Sequence, residues 1–198
     1  MVVGNKELRP EKSAGGNIGC EYFWKSFVLI NVNYFQNKFK DMIVDYQAAP
    51  LTFSYLNVER AAFHGVEWQS RWYVLDNLTA TIGYNYTKIS HADDAAAFSK
   101  ISPHNATIRI GYGLFRNRVK LSLKEQYLSA REIVVVTHEG LYQKSKKKGY
   151  HILDLTCSYK LNEAFFVRLC TTNLTDYRDL AYGPYIGRRF FVGIQIGI

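Results

Sequence analysis

Hydrophobic residues occupy every second position through most of this chain. In the last ten residues, Phe190, Val192, Ile194, Ile196 and Ile198 form one row, and Phe191, Gly193, Gln195 and Gly197 form the other. That alternation predicts a strand with one greasy face and one small or polar face. The pattern recurs in about nine segments, beginning with residues 17–24 and 27–40. In the second of these, Val28, Ile30, Val32 and Tyr34 alternate with Leu29, Asn31, Asn33 and Phe35. Residues 56–74 place Val66, Trp68, Trp72 and Val74 opposite Glu67, Gln69 and Arg71, with Ser70 interrupting the apolar row. Leu78, Ala80, Ile82, Tyr84 and Tyr86 alternate with Thr79, Thr81, Gly83, Asn85 and Thr87. Further strands are predicted at 107–114, 119–124, 153–159, 165–173 and 189–198.

The connections alternate between short and long. Tight turns fall near residues 25, 76, 116 and 163, and longer stretches fall around 41–55, 91–102, 131–149 and 174–187. Within the third of these, Ile133 to Val136 either extends the preceding strand or folds as a short hairpin. Strict alternation puts every long loop at one end, which is the asymmetry of an up-and-down transmembrane barrel. A soluble sandwich or lipocalin-like barrel also alternates along its strands, but it rarely gathers its long loops at one end.

Composition sharpens this reading. No apolar run approaches the roughly 20 residues of a spanning helix, whereas 15 Tyr and 12 Phe suit strands and interfacial girdles. A hydrophobic share of 47% excludes a disordered polymer. The net charge of +8 is scattered except at Lys144-Ser145-Lys146-Lys147-Lys148, so nucleic acid is not the expected partner. That cluster reads as a solvated loop or as an attractor of an anionic ligand or lipopolysaccharide. Cys20, Cys157 and Cys170 have neither zinc nor redox spacing, and strand parity puts Cys157 and Cys170 on opposite faces, so free thiols are expected.

His64, His91, His104, His138 and His151 stand isolated, and no nucleophile elbow or phosphate loop is present, so no enzyme, cofactor or metal site is expected. His91-Ala92-Asp93-Asp94 reads as a solvated acidic patch rather than a cation site. The start, Met1-Val2-Val3-Gly4-Asn5-Lys6, lacks a secretory signal pattern, which for a protein outside the inner membrane implies an upstream region.

Several motifs resemble the C-terminal barrel of TonB-dependent outer-membrane receptors of the siderophore type. Leu8-Arg9-Pro10-Glu11-Lys12-Ser13 is similar to the family's L-x-P-E-x-S, and Glu21-Tyr22 follows it. Tyr34-Phe35 with Lys40-Asp41-Met42-Ile43 is similar to its strand-end signature. Residues 57–67 match N-x-x-x-A-x-x-x-G-x-E at Asn57, Ala61, Gly65 and Glu67. Ser102-Pro103-His104, Asn173-Leu174-Thr175-Asp176 with Tyr177, and Gly187-Arg188 follow in the family's order. The final residue is Ile198, where the family usually carries an aromatic.

The resemblance implies an all-β fold: an antiparallel up-and-down transmembrane β-barrel, with about nine strands forming the C-terminal part of a roughly 22-stranded barrel. It implies that residues 1–198 are a partial barrel, with the plug domain and the N-terminal barrel strands absent. The implied location is the outer membrane of a Gram-negative bacterium, in contact with outer-membrane lipid. The implied function is active uptake of a ferric siderophore or similar scarce nutrient, driven by TonB through the missing N-terminal region. The chain alone is not expected to transport. Aromatic and basic loop residues that suit an anionic aromatic chelate are Arg131, Tyr142, Lys144, Lys146, Tyr182 and Tyr185. Two other readings stand beside this one: a passive outer-membrane pore, and a soluble β-sheet carbohydrate-binding module.

Overall fold

The computed structural model describes residues 1–49, 52–90, 101–136, 142–179 and 185–196. Nine strands form one antiparallel sheet: β1 (Lys12–Trp24), β2 (Val28–Ala49), β3 (Thr52–Leu75), β4 (Leu78–Ser90), β5 (His104–Leu114), β6 (Val119–Leu128), β9 (Tyr150–Lys160), β10 (Phe165–Thr172) and β13 (Arg189–Ile196). Two small hairpins are set between wall strands, β7 (Arg131–Val136) with β8 (Tyr142–Lys147) and β11 (Arg178–Asp179) with β12 (Tyr185–Ile186). Ile133 to Val136 therefore belongs to a hairpin and does not extend β6.

Apart from irregularities at Gln47 to Ala49 and at Tyr73 to Leu75, the register carries the apolar rows from strand to strand. Ile18 faces Tyr34, Tyr34 faces Val66, and Val66 faces Tyr86. At the other edge, Leu123 faces Leu155, Leu169 faces Val192, and Val167 faces Ile194. Within the sheet these side chains are half-buried to exposed, and on the edge strands Ile18, Val192 and Ile194 are more than 70% exposed. The total accessible surface is 13776 Å², whereas a folded soluble monomer of 22.8 kDa exposes about 9,600 Å². The excess fits a sheet solvated by lipid on one side better than a soluble sandwich with its own core.

The polar face is built of cross-strand pairs. Glu67 accepts from Asn33 and Asn85 at 3.3 Å each, and Asn31 donates to Glu21 at 3.4 Å. Farther along the sheet, Lys124 lies 4.0 Å from Asp154. Cys157 and Cys170 are both free, and Cys170 accepts instead from the Thr156 hydroxyl.

Tight turns close the short-loop end with left-handed residues, at Lys25 and Ser26 and again at Phe115, Arg116 and Asn117. Asn162 serves the last short turn by accepting from the Ala164 and Phe165 amides, both at 2.9 Å. At the other end, β2 and β3 run to 22 and 24 residues, far past the loop expected at 41–55. The difference originates at Asp41, whose φ of 55° reverses the facing of the chain. Phe39, Ala61 and Phe63 therefore pack with Met42, Val44, Leu56 and Val58, residues of opposite parity, in a small core above the wall.

The 57–67 motif holds this junction together. Asn57 accepts from the Arg9 amide at 2.8 Å and donates to the carbonyls of Arg9 and Asp41, while Arg9 pairs with Asp41 at 2.7 Å. Residues 1–9 are thereby laid along the outer half of β3, with Val2 bridged to Phe53. Ala61 is buried in the core above, and Gly65 leaves no room for a Cβ beside the Tyr86 carbonyl and the Phe35 ring.

Two substitutions test this account by thermal unfolding in detergent micelles. Gly65→Ala must displace a backbone carbonyl and is expected to destabilise by about 1–3 kcal/mol. Asn57→Ala is expected to cost about 1–3 kcal/mol and to open residues 1–9 to protease, because it removes the clamp on Arg9. A melting temperature unchanged in both variants would contradict the account.

Candidate functional site

The long-loop end of the polar face gathers three tyrosines. Along β9, Tyr150, Ile152 and Asp154 share the polar-face parity, so Tyr150 opens the row that faces away from lipid. Tyr177 stacks on Tyr150 with ring centroids 4.3 Å apart and planes 7° apart. Tyr185 meets both edge-on, at 5.5 and 5.7 Å. These are favourable aromatic geometries.

Tyr177 is delivered by the turn that follows β10. Asn173, left-handed and buried, accepts from the Tyr177 amide at 2.9 Å and donates to the Tyr177 carbonyl at 2.7 Å. Its own amide donates to Asp154 at 2.9 Å, tying the turn to β9. Asp176 accepts from the Arg188 amide at 2.8 Å and from the Arg178 guanidinium at 3.0 Å. These bonds hold the Asp176 carboxyl below the usual range, the Arg188 amide contributing most. Gly187 has a φ of 104°, and a Cβ there would stand 2.8 Å from Asp176. Residues 173–176 and the Gly187-Arg188 pair thus form one knot beneath the tyrosines.

Cations border the cluster. Lys147 lies 5.4 Å from the Tyr150 ring centroid and is ion-paired with Asp179, and both of these side chains are nearly buried. Burial lowers the Lys147 pKa, and the positive charge of Arg131 lowers it further. Arg131 stands opposite Lys147 across the β7–β8 ladder and donates to Ser102 at 2.9 Å. Burial raises the Tyr177 hydroxyl. It raises Tyr185 up to about 12, with a hydrogen bond to Tyr150 adding to the effect.

Among the residues expected from sequence, Tyr185 belongs to this cluster and Arg131 borders it. Lys144 and Lys146 lie on the opposite, exposed side of the hairpin strand, across from Val134 and Glu132. Tyr142 opens β8 opposite Val136. Tyr182, and the acidic stretch from His91 to Asp94, lie outside the described residues. Sequence reasoning passed over Tyr150, Tyr177 and Lys147. Tyr150 was legible as the outward continuation of the Ile152 and Asp154 row, and Tyr177 as the residue following the Asn173 turn. Lys147 was not, because only the hairpin register separates it from Lys146.

The cluster has a pH signature. The folded protein holds the Tyr185 proton more tightly than an unfolded chain does, so the associated stability is fully present below about pH 10. It is lost as the pH rises through about 12. Ultraviolet difference titration is expected to show a late tyrosinate step that disappears in Tyr185→Phe. A Tyr185 that titrates with the bulk tyrosines would contradict the packing. Gly187→Ala is expected to shift that step toward pH 10 by loosening the knot.

Known proteins share this fold. The TonB dependent receptor-like, beta-barrel family matches residues 1–175. No curated protein matches the chain. Among solved structures, the FrpB iron transporter from Neisseria meningitidis superposes with a TM-score of 0.72 at 16% identity, over 99% of this chain and 33% of its own. The pyoverdine outer membrane receptor FpvA from Pseudomonas aeruginosa, bound to pyoverdine, gives 0.73 at 14%, over 98% and 31%. A mutant of the ferric enterobactin receptor PfeA from the same species, in complex with enterobactin, gives 0.72 at 15%, over 98% and 32%. The chain therefore spans about a third of the length of the structures it matches, and at these identities the likeness is one of fold. With the family match covering most of its residues, this chain belongs to the TonB-dependent receptor β-barrel family.

Proposed function

We propose that these residues form part of the wall and outer loops of an outer-membrane receptor that takes up a ferric siderophore or a similarly scarce anionic chelate. The observation that carries this reading is the tyrosine cluster. It stands at the long-loop end of the polar face, bordered by Arg131 and Lys147. Stacked aromatic rings and fixed cations suit a planar, negatively charged ligand. Arg131 and Tyr185 are the proposed contacts, and Tyr142 and Tyr182 are further candidates by residue type. The exposed Lys144 and Lys146 supply a positive approach surface.

In the full assembly, the plug domain and the remaining strands of a roughly 22-stranded barrel lie outside residues 1–198. TonB acts through that missing region. The protein works as a receptor in the outer membrane and not as an enzyme. A passive pore is the weaker reading, because β1 and β13 each have one ladder partner and do not pair with each other. An open edge in lipid costs several kcal/mol for each unmet backbone group.

Binding of ferric catecholate and ferric hydroxamate chelates, read by fluorescence quenching in detergent, tests the site. Arg131→Gln is expected to weaken an anionic chelate about tenfold, equivalent to about 1.4 kcal/mol. The Lys144→Gln, Lys146→Gln double variant is expected to lower the association rate and its salt dependence more than the affinity. Binding of anionic chelates that Arg131→Gln and Tyr185→Ala both leave intact would refute the assignment. Proteoliposomes carrying only these 198 residues are expected to show no energised uptake, and uptake there would refute the partial-barrel reading.

A further inference from the structure

The polar face of β5, β6, β9 and β10 carries unbalanced positive charge near its short-turn end. Direct pairing sets Arg109 against Lys124 and Lys124 against Asp154, so these three share one row. The next row toward the short turns is uncharged and runs Thr79, Gly111, Ser122, Thr156. One row farther, Lys120 lies opposite Ser158, and Ser158 lies opposite Arg168. On these four strands the rows hold the cations Arg109, Lys120, Lys124 and Arg168 against the lone carboxylate of Asp154. Arg109 and Lys120 are exposed, and among the described residues neither is ion-paired. Arg168 donates to the Ser158 hydroxyl at 3.3 Å.

The uncharged row is a floor between cations. Residues two apart on one strand share a face at a spacing of about 7 Å, which an extended lysine side chain spans. Lys120 and Lys124 flank Ser122 on β6 in this way, so both ammonium groups can meet over its hydroxyl. Arg109 reaches the same point from β5 across Gly111, where no side chain intervenes and the Thr79 hydroxyl stands 3.0 Å from the place a Cβ would take. Like charges directly opposite across a ladder destabilise a sheet, and Arg109 against Lys124 is such a pair. Asp154, 4.0 Å from Lys124, offsets one charge of the three and leaves a surplus of two. Two lysines, a guanidinium and a hydroxyl aimed at one point suit an anion with several acceptor oxygens. The floor of Thr79, Gly111, Ser122 and Thr156 offers no ring for stacking, unlike the tyrosine cluster. From Tyr150 to Thr156 is six residues along β9, so the two places lie about 20 Å apart.

We propose that Arg109, Lys120, Lys124 and Ser122 form an oxyanion site for a phosphate-type dianion, either free or carried as a phosphomonoester on a larger solute. The site goes beyond the chelate reading and stands apart from it, since it needs only that the polar face be wet. Phosphate oxygens accept from the two ammonium groups and the guanidinium, and the Ser122 hydroxyl donates from beneath. The bound dianion matches the surplus charge and relieves the repulsion between Arg109 and Lys124. A sheet face is open on the side away from the strands, so a carried phosphate fits as well as a free one. Asp154 works against the anion, because it draws on Lys124 and repels phosphate.

The test is isothermal titration calorimetry of the 198-residue chain in uncharged detergent micelles at low, constant ionic strength. The titrants are inorganic phosphate, glycerol 3-phosphate and chloride. The two phosphates are expected to bind within about threefold of each other, and chloride at least about tenfold more weakly. Losing a hydrogen bond to a charged group costs about tenfold or more in affinity, so K120Q/K124Q is expected to weaken both phosphates at least about tenfold. Asp154→Asn is expected to tighten them about threefold, a gain that general loosening of the fold would not produce. The variant K38Q/K40Q removes two exposed lysines from the opposite face of β2 and is expected to change neither affinity. All variants are expected to keep the β-sheet circular dichroism spectrum. Chloride binding as tightly as phosphate, phosphate binding that survives K120Q/K124Q, weaker binding in Asp154→Asn, or a loss in K38Q/K40Q equal to that in K120Q/K124Q would each overturn the proposal. Inorganic phosphate binding without glycerol 3-phosphate would overturn the carried form of the ligand and leave the free ion. Phosphate binding that persists in a chain unable to bind ferric chelates would support this site while refuting the chelate reading.

Discussion

Everything in this structure depends on the backbone finding its hydrogen-bond partners inside the sheet. In hydrocarbon no water can satisfy a stray amide or carbonyl, and each one left unmet costs several kcal/mol. The nine-strand ladder meets that demand between neighbours by direct pairing, and only the outer edges of β1 and β13 are left without a ladder partner among the described residues. Side chains are then released from stabilising a core and can be divided by face. One face carries the apolar rows, bare at Ile18, Val192 and Ile194. The other holds paired amides and charges such as Glu67 between Asn33 and Asn85. The small core at Val44, Val58 and Ala61 appears only where the chain leaves the wall. There, water replaces lipid and ordinary burial becomes useful again.

Wall strands and short turns were legible because their signal is local. Period-two alternation marks the wall strands, with a break of phase at Asp41 in β2, and the turns near residues 25, 76, 116 and 163 lie where the structure has them. The extent of β2 and β3 was hidden because a single left-handed residue, Asp41, exchanges the two faces. Alternation read across that point loses phase and resembles a loop. The site was partly legible for a different reason. Tyr185 and Arg131 stand out by residue type, but Tyr150, Tyr177 and Lys147 acquire meaning only when separate segments meet. Lys147 and Lys146 look alike in sequence, and the β7–β8 register alone distinguishes them.

Positive charge at the tyrosine cluster is engaged within the protein, Lys147 with Asp179 and Arg131 with Ser102, so the fold itself sets the position of each cation. The side-chain entropy lost in holding these two long side chains is spent on folding.

The two small hairpins have a consequence for how such a protein can vary. Between β6 and β9 the chain makes a long excursion containing β7 and β8, yet Val119 still faces Tyr159 and Leu128 still faces Tyr150. Between β10 and β13 it does so again, and Phe165 still faces Ile196. What happens in the excursion leaves no mark on the ladder below. Loops at this end can therefore be lengthened, shortened or exchanged without re-registering a single wall strand. The wall is a fixed frame, and variation confined to the excursions above it leaves the pairing of the frame intact.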